Sequence, residues 1–160
     1  MRLLIAAVGR LKDGPERELL DKYRERLAPL AKRLGLAPVT WLEIPESRSA
    51  DVAARKEDEG AALLKLVREA EFLVALDERG KALTSIGFAQ ALAKARDGGA
   101  KAAGIVIGGP DGLSPAVRDA AHLTVSFGAI TLPHGLARVV LAEQLYRAAT
   151  ILAGHPYHRA

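Results

Sequence analysis

The chain has 160 residues, 23 of them Lys or Arg and 19 Asp or Glu, for a formal charge of +4, and 49% of its residues are hydrophobic. That composition describes a soluble globular chain of one domain, residues 1–160, long enough to bury a continuous core and too short for separate cofactor and substrate domains. The absence of cysteine excludes disulfides, a thiolate nucleophile, Cys-type zinc sites and iron–sulfur ligation. The opening apolar run Met1–Val8 is interrupted by Gly9, Arg10, Lys12 and Asp13, too early for a signal peptide. No window approaches the roughly 18 apolar residues of a spanning helix, so a cytoplasmic protein without a membrane partner is expected.

Charge is distributed unevenly. Residues 1–35 carry nine basic and five acidic side chains, whereas residues 104–160 carry four and three and hold all four histidines. A basic first segment suits either a solvated helix or a polyanionic partner.

In chain order, the first apolar run, Arg2–Val8, reads as a strand. Gly14-Pro15 then opens a helix through E-R-E-L-L-D-K-Y-R-E-R-L, with proline at a permitted first-turn position. A second strand spans Pro38–Ile44, and Ser49 precedes a second helical stretch, A-D-V-A-A-R-K-E-D-E-G-A-A-L-L-K-L-V. Phe72–Leu76 is a third strand, followed by a helix opened by Thr84-Ser85; Gly104–Ile107 is a fourth, followed by one opened by Ser114-Pro115. Leu123–Phe127 is a fifth, and Pro133 opens a long final helix to about Ala153. Near-continuously apolar strands alternating with helices specify an α/β domain whose parallel sheet is covered on both faces.

In such sheets ligands bind beyond the carboxyl ends of the strands. Three of those ends carry glycine: L-D-E-R-G-K (Leu76–Lys81), I-G-G-P-D-G-L-S (Ile107–Ser114) and F-G-A-I-T-L-P-H (Phe127–His134). Any one of these glycines serves a turn equally well, but three on one edge point to close approach of backbone to a small ligand. Gly108-Gly109-Pro110-Asp111-Gly112 lacks the dinucleotide spacing, and no Gly-Lys-Ser/Thr occurs, so phosphate-anchored nucleotide binding is disfavoured. No metal site is expected, His155-x-x-His158 being the nearest approach to ligand spacing.

On the last helix Leu141, Leu145, Ala148 and Leu152 share a core-facing stripe, while Val140, Gln144 and Ile151 form another side suited to a second copy. Glu143 and Arg147 have the spacing of a helix ion pair. Tyr157, His158 and Arg159 combine an aromatic ring, a group titrating near neutrality and a phosphate-binding fork.

The runs I-G-G-P-D-G-L-S, S-F-G-A-I-T-L-P-H-x-L-A-R-V-V-L-A-E-Q-L-Y-R-A and H-P-Y-H-R, with L-D-E-R-G-K-x-L-T-S and the opening L-L-I-A-A-V-G, resemble the RlmH (YbeA-type) ribosomal RNA methyltransferases of the SPOUT superfamily. The resemblance spans essentially the whole chain, although residues 12–70 match only in pattern. It implies methylation of N3 of a pseudouridine in helix 69 of 23S ribosomal RNA within the ribosome, with S-adenosylmethionine as methyl donor. It also implies a homodimer and a deep trefoil knot within about residues 72–160, a threading that general topology rules would disfavour. The matching cofactor positions are Leu76, Gly108, Phe127, Gly128, Ala129, Ile130, Thr131 and Leu132. For loss of the imide proton His158 is the first candidate and His134 the second, with Tyr157 stacking on or hydrogen bonding to the base. Arg138, Arg147 and Arg159 are candidates for phosphate or for the developing imidate. Two rivals are a non-catalytic RNA-binding knotted dimer and a SPOUT methyltransferase with another RNA target.

Overall fold

A computed structural model describes residues 1–159. Five parallel strands, β1 (Arg2–Val8), β2 (Val39–Ile44), β3 (Phe72–Ala82), β4 (Ala102–Ile107) and β5 (Leu123–Ser126), form one sheet in the order β2-β1-β4-β3-β5. The helices are α1 (Pro15–Arg33), α2 (Val52–Leu66), α3 (Ser85–Asp97), α4 (Pro115–Ala120) and α5 (His134–Leu152). The expected α/β architecture is therefore present.

Side chains on successive strand positions point to opposite faces, which divides the core in two. Leu3, Ile5 and Ala7 of β1, with Val74, Ile105 and Val125, meet Leu27, Leu92, Leu141 and Leu145 of α1, α3 and α5. Ala6, Val8, Ala75 and Val106 meet Leu63 of α2, Val67 just after it and Val117 of α4 on the other face. The central strand β4 is buried at all six positions, which its sequence A-A-G-I-V-I permits because no residue carries a polar side chain. Gly104 is required there by crowding: a methyl group on it would lie 2.9 Å from Val67 and 3.0 Å from Ala70.

Three of the five helix starts carry a side-chain cap. Asp51, Thr84 and Ser114 accept hydrogen bonds from Ala54, Gly87 and Val117 backbone N–H groups, the N-cap arrangement that satisfies otherwise unpaired donors. The second of these helices thus begins at the expected Thr84-Ser85, but the cap of α2 is Asp51 and not Ser49. Ser49 donates instead to Asp58 at 2.7 Å.

β3 differs most from the sequence expectation. It continues to Ala82, with both Leu76 and Lys81 opposite Val125 and residues 77–80 displaced between them. Chain from the expected loop thus rejoins the sheet edge beside β5. Gly80 makes this fit, since a methyl there would come within 2.6–2.7 Å of the Thr124 and Val125 backbone.

Candidate functional site

A cavity of about 580 Å³ opens at the carboxyl ends of β3, β4 and β5. Its volume lies in the range of small-molecule sites, about 300–1,000 Å³. Leu76–Arg79, Ile107–Leu113 and Val125–His134 form its walls, joined by Lys56, Arg118 and Ala137. All eight positions that the family resemblance assigns to the cofactor, Leu76, Gly108 and Phe127–Leu132, lie on this cavity.

The walls are built mainly from backbone held by short-range contacts. Gly109 and Gly112 close a tight turn, Gly112 N–H donating to the Gly109 carbonyl at 2.9 Å, and Gly112 has φ +83°. Gly108 packs against that turn so closely that a methyl would lie 2.7 Å from the Gly112 carbonyl carbon. In the third wall the Ser126 hydroxyl donates to the Gly128 carbonyl at 3.0 Å and accepts its N–H at 3.1 Å. Beyond this clasp Phe127–Thr131 is exposed, Ile130 at 82%, so a large apolar side chain stands free beside the cavity.

Two carboxylates of the cavity lining, Asp77 and Asp111, have arginine partners. Arg118 lies 3.6 Å from Asp77, and Arg55 donates to Asp111 at 2.8 Å. The Arg55 contact holds the Asp111 carboxyl below the usual carboxylate range. Apolar Leu76, Ile107, Val125 and Leu132 line the same space as Gly108, Gly109, Gly112 and Gly128, so the walls combine apolar side chains with glycine backbone.

His134, the first residue of α5, is half-buried on the cavity wall. A methyl on Gly9 would lie 3.6 Å from His134 Nε2 and 3.3 Å from Glu46 Oε1, which brings the imidazole and that carboxylate to one corner. Arg138 is placed differently from expectation. Its side chain is 1% exposed, donating to Glu43 at 2.9 Å, to the Gly9 carbonyl at 2.7 Å and to the Val8 carbonyl. Burial is the main influence on this guanidinium and lowers its pKa, opposed by Glu43. With its fork used internally, Arg138 ties α5 to the ends of β1 and β2, and the placement does not fit a contact with phosphate or the imide.

The remaining candidates gather at the other end of α5. Arg147 donates to Glu143 through Nε at 2.9 Å and Nη2 at 2.5 Å, the ion pair that the spacing suggests. Its guanidinium stands 5.0 Å from the Tyr157 ring centre, and Tyr157 OH donates to Glu143 at 3.1 Å. Burial, with help from Tyr23 and Glu143, pushes the Tyr157 phenol up to about 12, so it stays protonated at neutral pH. His158 Nδ1 faces Arg147 Nη1 at 3.4 Å, while its Nε2 is buried without a partner. Arg159 is exposed. His134 and Arg147 are 13 positions apart on one helix, about 20 Å at 1.5 Å per residue. One chain therefore does not bring His158, Tyr157 and Arg147 to the cavity.

Glu46, Arg55, Glu59 and Arg118 escaped the sequence reading. Asp111 in G-G-P-D-G was the one visible signal, whereas its partner Arg55 lies 56 positions away and has no local mark.

A family described as "Predicted SPOUT methyltransferase" matches residues 1–158. The ribosomal RNA large subunit methyltransferase H of Rhodopseudomonas palustris (strain BisA53) is 57% identical over 160 residues, covering all of both chains. That of Xanthobacter autotrophicus is 54% identical with the same coverage. Among solved structures, a probable methylase family protein from Haemophilus influenzae Rd KW20 superposes with a TM-score of 0.54 at 14% identity, over 99% of this chain and 70% of that one. A probable methyltransferase from Bordetella pertussis Tohama I gives 0.51 at 17% identity, over 92% and 95%. At these identities the two structures bear on the fold alone.

Proposed function

The chain belongs to the SPOUT methyltransferase family, and from that premise we propose that its cavity holds S-adenosylmethionine and that it methylates large-subunit ribosomal RNA. The observation that carries this reading is the cavity itself, a space of about 580 Å³ walled by segments 76–79, 107–113 and 125–134 at the carboxyl ends of three strands. The full-length relatives named ribosomal RNA large subunit methyltransferase H support the substrate class.

The residues present fit such a cofactor. Backbone of Leu76, Gly108 and Phe127–Leu132 supplies donors and acceptors for an adenine edge, and the paired charges around Asp77 and Arg118 suit an amino-acid moiety. When bound, S-adenosylmethionine supplies an electrophilic methyl group on its sulfonium. The protein's own task is to hold the accepting nitrogen in line at near-attack distance and to take its proton. The target is N3 of a pseudouridine in helix 69 of 23S ribosomal RNA on assembled ribosomes, a reading supported by the resemblance of the C-terminal motifs. A ribosomal substrate implies a cytoplasmic enzyme, and no helix among the described residues is long and apolar enough to cross a membrane.

The working unit is a homodimer. Support comes from the separation of about 20 Å along α5 between the cavity and the Tyr157–His158 cluster, which a second copy would bridge by laying its tail over the first copy's cavity. His134 then serves from the cavity's own chain, and His158, Tyr157, Arg147 and Arg159 from its partner. In this arrangement His158 is the first candidate for the base. Tyr157 stacks or donates and does not accept the proton, consistent with a phenol pushed up to about 12. A deep trefoil knot lies within about residues 72–160, a reading supported by family membership.

The test is transfer of labelled methyl from S-adenosylmethionine to ribosomes lacking the helix 69 methyl group, with product mapping and a control lacking pseudouridine. Label confined to N3 of that pseudouridine is the expected result. Cofactor binding without transfer redirects the search to another RNA, and absence of both favours a non-catalytic RNA-binding dimer.

A further inference from the structure

We propose that Glu59 is a positioning residue that holds the glycine turn and the His134 corner of the cavity in one register, an inference that rests on the methyltransferase reading. Glu59 lies on α2, outside every motif named above, and is 5% exposed. Its Oε1 accepts the Ser47 backbone N–H at 2.9 Å. Its Oε2 is buried without a partner, and a methyl on Gly109 would lie 3.2 Å from it. The carboxylate thus stands between two segments far apart in sequence. One is the glycine turn 108–112 of the cavity wall, and the other is the loop after β2, which carries Glu46 to the corner shared with His134.

Neighbouring contacts bring α2 close enough for this role. Gly60 lets Ser114 approach so nearly that a methyl on Gly60 would stand 2.4 Å from its hydroxyl oxygen. Arg55 joins the same two segments one turn earlier, donating to Asp111 at 2.8 Å and to the Ser49 carbonyl at 3.0 Å. Asp58 differs: it accepts from the Ser47 and Ser49 hydroxyls and so ties only the loop after β2. A buried carboxylate oxygen without a donor favours any adjustment of the adjoining glycine turn that brings an N–H toward it. Glu59 therefore biases the turn, and through Ser47 the same residue fixes the approach of Glu46 to His134.

The experiment compares Glu59→Ala, Glu59→Gln and Asp58→Ala with the wild-type chain. Hydrogen exchange is read in segments 46–50 and 108–113 without cofactor, and S-adenosylmethionine affinity by calorimetry. Glu59→Ala is expected to speed exchange in both segments together and weaken S-adenosylmethionine binding about ten-fold, the loss of roughly one buried hydrogen-bonding group. Glu59→Gln, which keeps the volume and one acceptor, recovers most of that affinity. Asp58→Ala speeds exchange in 46–50 alone and leaves cofactor affinity unchanged. If Glu59→Ala does not fold, Glu59→Asp carries the same comparison with a shorter reach. Faster exchange in only one segment, a uniform increase across the sheet, or unchanged cofactor affinity in folded Glu59→Ala overturns the proposal. A wild-type chain that binds no S-adenosylmethionine refutes the methyltransferase reading instead, and the paired exchange response then decides the positioning role alone.

Discussion

Replacing Arg138 by methionine separates a structural from a chemical role. The substitution keeps most of the apolar stem and removes the guanidinium, leaving the Val8 and Gly9 carbonyls without that donor and Glu43 without the nearer of its two arginines, 2.9 Å against 3.4 Å for Arg17. Each buried carbonyl left unpaired costs about 1–3 kcal/mol. Breaking a buried ion pair by removing one partner costs about 3–5 kcal/mol in all. Taking about 4 kcal/mol, and about 2–4 °C per kcal/mol for a domain of this size, the melting temperature should fall by roughly 8–16 °C. Because whole domains are stable by about 5–15 kcal/mol, most of the variant should remain folded at 20 °C. Urea unfolding supplies the free energy, and methyl transfer at 20 °C, corrected for the folded fraction, supplies the turnover. The expected outcome is a large stability loss with turnover within a few-fold of wild type. Stability within 1 kcal/mol of wild type and turnover lowered a thousand-fold would show the guanidinium acting on substrate and refute the reasoning.

Three further outcomes are expected. Gly108→Ala forces a methyl against Gly112 backbone at 2.7 Å, so the turn must move and S-adenosylmethionine affinity measured by calorimetry should fall at least about ten-fold; unchanged affinity would remove this turn from the site. Ile130→Ser should leave the melting temperature unchanged, since Ile130 is 82% exposed, yet weaken cofactor binding if the loop folds over its ligand; a substantial melting shift would contradict the observed exposure. Asp58 and Asp111 have folded pKa values lowered by hydrogen bonds from Ser49 and Ser47, and from Arg55, respectively. Their contribution is therefore complete above the ordinary carboxylate value of about 4 and is lost as pH falls through the lower folded values. Asp58→Asn and Asp111→Asn should flatten the acid limb of stability against pH, and an unchanged limb would sink the assignment.

Local pattern was enough to identify five strands and five helices, because apolar runs and turn residues report the burial and backbone needs of each segment separately. It also marked the glycine turn of the cavity wall, where Gly108 is dictated by close backbone approach, whereas Gly80, expected beside a ligand, packs instead on the β5 backbone and does not line the cavity. The Glu143–Arg147 pair was readable too, because four positions on a helix place the partners side by side. Strand order was not readable: β4 lies between β1 and β3, and parallel pairing is set by contacts distant in sequence. The same holds for Arg138, which on sequence alone could face the cavity or the interior. Packing of α5 against α1, α3 and β4 turned it inward to Glu43, 95 positions away. The motif marked the tail histidine and tyrosine without placing them, and α5 sets them about 20 Å along its axis from His134. Residue types and spacing thus determined which elements form and which loops approach a ligand, while the tertiary structure alone decided which charged side chains meet, because those meetings depend on how whole elements pack.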